Sequence, residues 1–190
     1  MIKFKGFAQK DFNCFILKDK RCFKITKDKL KRLLLIISKE VGGYSGIYEY
    51  RKGRFAGYLS KLKNRKTNAF FNIQLNADDL CLEFQIENKD LLFNFFKKVN
   101  VKTLNNLRKI GDCEIAIWDF NKKICKLYPS SLAKSDIRFL VNKLKLTRYP
   151  IFKFRKIYPR DEAKELLRSP RLVRDLLDSM KIMETLYNFT

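Results

Sequence analysis

Histidine is absent from the 190-residue chain, which removes the commonest general base of enzymes. Ser-His-Asp and Cys-His mechanisms are therefore excluded, as are zinc sites that combine cysteine with histidine. The five cysteines form no C-x-x-C pair, which disfavours an all-cysteine zinc site, and their odd number disfavours a secreted disulfide scaffold. We predict no metal and no cofactor, and we expect most of the thiols to be small buried hydrophobic groups. The cysteines are Cys14, Cys22, Cys81, Cys113 and Cys125.

Long hydrophobic runs, glycine and proline are also scarce. The longest strongly apolar run, residues 33–37, is about a quarter of the length of a bilayer-spanning helix. Residues 1–7 lack the uninterrupted apolar segment of a signal peptide. We therefore predict a cytoplasmic protein with no membrane partner. Because no Gly/Ser/Pro-rich linker divides the chain, we predict a single domain over residues 1–190.

Basic residues, in contrast, are abundant and unevenly distributed. Lysine and arginine number 42 against 20 acidic residues, a formal net charge of +22. Residues 51–66 hold seven basic and no acidic side chains, and residues 121–160 hold twelve basic side chains against Asp136 alone. Because apolar residues make up 46% of the chain, it is not a disordered polyelectrolyte. Such concentrated positive charge favours a polyanion as partner.

Hydrophobic periodicity predicts both helices and strands. Residues 71–75 and 80–86 alternate apolar with polar side chains, which is typical of a hairpin with one apolar and one polar face. A helix is predicted from a cap at Thr26 or Asp28 to Gly42. Further helices are predicted over residues 90–99, 103–110, 135–146 and 161–187, the last interrupted at 169–170, and strands over 113–120 and 151–158. The order predicts an α+β fold, a largely antiparallel sheet with helices packed on it.

Three segments carry a resemblance to a known family. Phe7-Ala-Gln-Lys-Asp-Phe-Asn-Cys-Phe15 resembles the opening F-x-x-x-D-F-x-x-F signature of the YktB-like family, whose function is unknown. Residues 70–87 are similar to that family's central strand pair, and residues 153–161 to a basic strand near its C-terminus. The resemblance implies a single α+β domain with helices on an antiparallel-rich sheet, and it implies no activity. The family's hairpin tends to carry histidine, which this chain lacks.

Rings alternate with cations in the first basic segment, a combination that single-strand binders use to stack bases and neutralise phosphates. In the second segment, Lys153 and Arg155 share one face of a predicted strand while Phe152 and Phe154 anchor the other. Since no helix-turn-helix or zinc module is recognisable, we predict a sequence-tolerant, non-enzymatic domain that binds RNA or other single strands. The predicted contact residues are Arg51, Lys52, Arg54, Tyr58, Lys61, Lys63, Arg65, Lys66, Lys143, Lys145, Arg148, Lys153 and Arg155.

Two alternatives remain open from the sequence. Asp112 and Glu114 project from one face of a predicted strand, where they could share a divalent cation in a phosphodiesterase. Asp119 is the nearest further acid, but its position places it on the opposite strand face. Acidic residues at a strand end are more often solvent-facing, so the non-enzymatic prediction is preferred. The second alternative is a protein-interaction module whose acidic partner meets the basic face.

Overall fold

A computed structural model describes residues 4–50, 53–61, 68–111, 113–120, 122–128 and 132–190, with the backbone alone at 43–50, 60 and 61. The helices are α1 (Gln9–Leu17), α2 (Lys20–Val41), α3 (Lys89–Lys98), α4 (Val101–Asn106), α5 (Lys134–Lys145), α6 (Lys164–Leu167) and α7 (Arg171–Met183). The strands are β1 (Gly43–Tyr50), β2 (Arg54–Lys61), β3 (Ala69–Leu75), β4 (Asp79–Ile86), β5 (Cys113–Asp119), β6 (Lys122–Leu127) and β7 (Pro150–Pro159). Short 3-10 helices cover Leu107–Ile110 and Glu184–Phe189.

The strands form one sheet in the order β1-β2-β3-β4-β7-β5-β6. Pairing is antiparallel between β1 and β2, β2 and β3, β5 and β6, and β5 and β7. Helix α2 packs on β1 and β2, and helix α5 packs on β5 and β6. The predicted α+β fold, with helices on a largely antiparallel sheet, is confirmed.

The chain forms two compact units, each assembled from separate stretches. Unit 1 comprises residues 1–62, 71–82 and 157–178, and unit 2 comprises residues 63–70, 83–156 and 179–190. The expected single domain over residues 1–190 stays a prediction.

In unit 1, a buried carboxylate ties α1 to α2. Asp11 is fully buried, and its Oδ2 accepts hydrogen bonds from the Ala8 N–H at 2.7 Å and from Lys29 Nζ at 2.5 Å. Its Oδ1 accepts from the Thr26 hydroxyl at 3.0 Å. Phe12 is buried beside it. Asp11 of the opening signature therefore joins two helices, since a buried carboxylate needs such partners.

The start of α2 lies earlier than the sequence predicts. A cap at Thr26 or Asp28 is wrong, because the helix begins at Lys20 and is capped by Asp19. The Asp19 carboxylate accepts hydrogen bonds from two backbone N–H groups of the first turn, at 2.8 and 3.2 Å. The predicted end at Gly42 is confirmed, and its φ of +66° is the left-handed conformation that glycine adopts without strain.

The hairpin of β3 and β4 is predicted well in its bounds, but its polar face is buried. Asn76 forms the turn, since its Oδ1 accepts from the N–H groups of Asp78 and Asp79 at 2.7 and 3.0 Å. The apolar face is buried, as expected for a core strand pair. Polar side chains that are also buried are Asn72, Gln74, Glu83 and Gln85.

In unit 2, aromatic side chains bring α3 onto β7. Asn88 caps α3 as predicted, because its Oδ1 accepts from the Leu91 N–H at 2.9 Å. Phe95 of α3 and Phe152 of β7 are fully buried, with ring centroids 5.1 Å apart. Phe154 is buried on the same strand face as Phe152. The predicted anchoring role of these β7 rings is confirmed.

Candidate nucleic-acid interface

Five of the predicted contact residues lie outside the described part of the chain, and Lys61 is described by its backbone alone. Of the first basic segment, the structure places Arg54 and Tyr58 on β2, where both side chains are half-buried. Arg54 Nη1 donates to Gln74 Oε1 at 3.0 Å. The residues outside the description are Arg51, Lys52, Lys63, Arg65 and Lys66.

Two residues of the second segment are held by carboxylates. Lys153 Nζ donates to Glu83 Oε2 at 3.1 Å, and Arg155 Nε donates to Glu83 Oε1 at 2.7 Å. Arg155 Nη1 also donates to Glu114 Oε1 at 2.6 Å, and Lys123 Nζ donates to the same oxygen at 3.2 Å. We call these five side chains the sheet charge cluster. Its three cations face two carboxylates.

The pairing of the strands explains why the side chains of the sheet charge cluster meet. In the register of β5 with β7, Glu114 lies opposite Arg155, which brings their side chains to one face. Trp118 completes the face, with Lys153 Nζ 5.0 Å and Lys123 Nζ 5.4 Å from its ring centroid. The alternation of β7 therefore puts Lys153 and Arg155 on one face, as predicted, but points them into this cluster.

Glu114 is held in its ionised form by these partners. Burial alone would raise the pKa of the Glu114 carboxyl, but the hydrogen bond and charge of Arg155 outweigh burial. Lys123 acts in the same direction, so that the pKa lies below its ordinary value of 4.5. A charged Glu114 neutralises the cations beside it, which makes Arg155 a poor ligand for an added phosphate.

The remaining predicted residues of the second segment lie on an open surface. Lys145 and Arg148 are exposed, and Lys143 is half-buried. Helix α5 presents Lys143 and Lys145, because Leu140 and Leu144 turn inward and are fully buried, and Arg148 lies in the loop between α5 and β7.

Exposed aromatic rings accompany these cations, and none of these rings is among the predicted contact residues. Lys143 Nζ lies 5.3 Å from the centroid of Phe139, one helical turn away, and the Arg148 guanidinium lies 5.1 Å from that of Tyr149. The sequence could have indicated that Phe139 is exposed, because Phe139 does not belong to the row of inward-facing leucines of α5. We define the ring–cation surface as Phe120, Lys126, Tyr128, Phe139, Lys143, Lys145, Arg148 and Tyr149.

Backbone contacts bring part of this surface together. The Phe120 N–H donates to the carbonyl of Tyr149 at 3.0 Å, and the Tyr149 N–H donates to Asp119 Oδ1 at 2.9 Å. These bonds place Phe120 and Tyr149 side by side at the end of β5. Phe120 and Tyr149 are 67% and 58% exposed.

The outer strand β6 contributes a third ring–cation pair, on the other face of the sheet from α5, since Lys126 lies opposite Ala116 and Ala116 opposite Lys153. The ring–cation surface therefore extends around the sheet edge that β6 forms. Lys126 Nζ lies 5.1 Å from the centroid of the Tyr128 ring, which is 55% exposed. A hydrogen bond with the Tyr128 side chain raises the pKa of Lys126. Helix α5 packs on the opposite face of β6, where burial raises the pKa of the Cys125 thiol and the charge of Lys143 lowers it in part.

The acids of the alternative phosphodiesterase site are engaged elsewhere. Glu114 belongs to the sheet charge cluster, and Asp119 accepts the Tyr149 N–H. Asp112 lies outside the described residues. Within the described part of the chain, no three cysteine or acidic side chains stand close enough to hold a metal ion.

Comparisons with known proteins add no function. No protein-family model matches the chain, and no curated protein sequence matches it. The resemblance to the YktB-like family therefore stays a prediction. In the part of the chain that the structure describes, no helix combines the length and hydrophobicity needed to cross a bilayer.

Proposed function

We propose that the ring–cation surface binds single-stranded nucleic acid, preferably RNA, without discriminating its sequence and without cleaving it. The observation that supports this proposal is the set of three ring–cation pairs, Lys126 with Tyr128, Lys143 with Phe139 and Arg148 with Tyr149. Each pair offers a ring face or edge for a base and a cation for the adjoining phosphate.

The rings of this surface are exposed, unlike aromatic side chains that pack in a hydrophobic core. Phe139, Tyr128 and Tyr149 are 40%, 55% and 58% exposed, so a large part of each ring is open to solvent. Bases of unpaired strands can stack on such rings whatever their sequence, because every base has a π-face. Paired bases cannot, which favours single strands over a duplex.

Salt dependence of RNA binding tests the proposal. A fluorescently labelled 20-nucleotide RNA of mixed sequence is titrated with the protein between 50 and 300 mM NaCl, and anisotropy gives the affinity. Each neutralised phosphate adds about −0.7 to the log–log slope on single strands, so the four cations of the surface predict roughly −3. The variant Lys143→Ala/Lys145→Ala/Arg148→Ala should flatten the slope by about 2.

A charge-matched variant provides the control. Lys31, Arg32 and Lys39 are exposed cations of α2 in unit 1, and Lys31→Ala/Arg32→Ala/Lys39→Ala removes the same charge. We expect this variant to keep most of the slope. Equal flattening by both variants, or no binding by the unmodified protein at 50 mM salt, would refute the proposed surface.

Substitution of a ring separates stacking from charge. Tyr149→Ala should weaken RNA binding by about 1–3 kcal/mol with little change in the salt slope, because a stacked base is lost but no phosphate contact. The first basic segment is tested separately by Arg51→Ala/Lys52→Ala/Arg54→Ala. A flattened slope in that variant would add residues 51–66 to the interface, as the sequence predicts.

A further inference from the structure

A second cationic site lies in unit 1, at the junction of α1 and α2. A cavity of about 450 Å³ opens there, within the range that small-molecule sites occupy. All of its lining residues are cationic or aromatic. They are Lys18, Lys20, Phe23, Lys24, Lys27 and Phe55.

The local chain path makes the lysines converge. Lys18 ends α1 in the left-handed conformation, with φ of +52°, and Asp19 then caps α2. Lys20, Lys24 and Lys27 follow at a spacing of four and three residues, which places them on one face of α2. The turn at Lys18 brings a fourth ammonium to the start of that face.

An aromatic cluster lies beneath the lysines. The ring centroids of Phe15, Phe23 and Phe55 are 5.2 to 5.3 Å apart in edge-to-face contacts. Phe55 is fully buried and Phe15 nearly so, whereas Phe23 is only half-buried. The cluster thus fixes Phe23 with part of its ring open to the cavity.

We infer that this lysine pocket binds a small phosphorylated ligand with an aromatic body, of the class of nucleoside phosphates. Several ammonium groups around one cavity favour a ligand with more than one phosphate charge. The exposed part of Phe23 offers a surface on which a base can stack. The site lies in unit 1 and does not depend on the ring–cation surface of unit 2.

Isothermal titration with three probes tests the two halves of the ligand. ATP carries both the base and the phosphates, tripolyphosphate only the phosphates, and adenosine only the base. We expect ATP to bind and tripolyphosphate to bind at least about fivefold more weakly, because one stacked base contributes about fivefold in affinity. Adenosine should show no measurable binding, because it lacks the phosphates that contact the lysines. Equal affinity for ATP and tripolyphosphate would remove the aromatic part of the inference.

Paired variants locate the binding. Lys20→Ala/Lys24→Ala should weaken ATP binding at least about tenfold, since one charge-assisted hydrogen bond accounts for roughly that factor. Arg32→Ala/Lys39→Ala removes the same charge from the same helix, outside the pocket, and should change the affinity less than threefold. Equal losses would show diffuse attraction to a basic protein and overturn the site. Phe23→Leu, checked by circular dichroism for folding, should bring ATP down to the affinity of tripolyphosphate.

A lipid headgroup is the other source of the same phosphate chemistry. Sedimentation with vesicles of phosphatidylcholine and 30% phosphatidylserine tests it with the same variants. We expect Lys20→Ala/Lys24→Ala and Arg32→Ala/Lys39→Ala to sediment alike. Vesicle binding that is lost only in Lys20→Ala/Lys24→Ala, together with no ATP binding, would assign the pocket to lipid and overturn the nucleoside class.

Discussion

Nε of Arg155 donates to Oε1 of Glu83 at 2.7 Å, although 72 positions separate the two residues in the chain. Lys153 binds the second oxygen of the same carboxylate at 3.1 Å. Glu83 is fully buried, so its charge is compensated by these two cations rather than by water. These ion pairs allow the polar face of β4 around Glu83 to be buried.

Removal of the Glu83 charge should therefore destabilise the fold. Glu83→Gln keeps the side-chain volume but leaves Lys153 and Arg155 with less counter-charge in a buried position. We expect a loss of about 3–5 kcal/mol in the free energy of unfolding, which is typical when one partner of a buried ion pair is removed. Urea denaturation followed by fluorescence of Trp118, the single tryptophan, measures it. Asp161→Asn is the control, since Asp161 is 77% exposed and its pairing with Arg160 should contribute less than about 1 kcal/mol.

Glu114 should give the protein a measurable acid dependence. Its pKa in the folded chain lies below its ordinary value of 4.5, so its ionised form stabilises the fold at neutral pH. That contribution is fully present above about pH 5 and decreases as the pH falls through the folded pKa. The difference in unfolding free energy between the unmodified protein and Glu114→Gln should be constant from pH 6 to 7 and shrink below pH 4.5. A difference that stays constant to pH 3 would contradict the lowered pKa.

Asp11 and Asp19 both lie near the junction of α1 and α2, but their substitution should lower the free energy of unfolding by different amounts. Asp11 is buried and accepts three hydrogen bonds, so Asp11→Ala should cost about 3 kcal/mol of stability or more. Asp19 is an exposed helix cap, and Asp19→Ala should cost about 1 kcal/mol. Thermal and urea unfolding of both variants check the order. A larger loss for Asp19→Ala would show that the buried carboxylate is not the main tie between α1 and α2.

The thiols should differ sharply in reactivity. Burial raises the pKa of Cys14 to about 12, so its thiol stays protonated at any ordinary assay pH. Cys81 and Cys113 are also buried, whereas Cys22 and Cys125 are half-buried. Brief alkylation of the native protein at pH 8, followed by peptide mass spectrometry, should label Cys22 most and leave Cys14 unlabelled. Labelling of Cys14 as fast as in urea would show that α1 opens readily from α2.

Hydrophobic periodicity and capping residues were sufficient to predict the elements that depend on local sequence alone. The hairpin of β3 and β4, the Asn88 cap of α3 and the end of α2 at Gly42 are local features, determined by side chains within a few residues. The predicted start of α2 was wrong. Thr26 and Asp28 are plausible caps in isolation, but the hydroxyl of Thr26 is used by Asp11, fifteen positions earlier.

The amino-acid sequence by itself determined the α+β class, the absence of histidine chemistry and the concentration of positive charge. Only the tertiary structure decided which of those charges are open to a partner. Lys153 and Arg155 occupy alternating strand positions that look solvent-facing, yet Glu83 and Glu114 reach them from other strands. The spacing of residues within one strand does not reveal such pairs, because the neighbouring strands come from distant parts of the sequence. Whether a charge is compensated depends on those neighbouring strands.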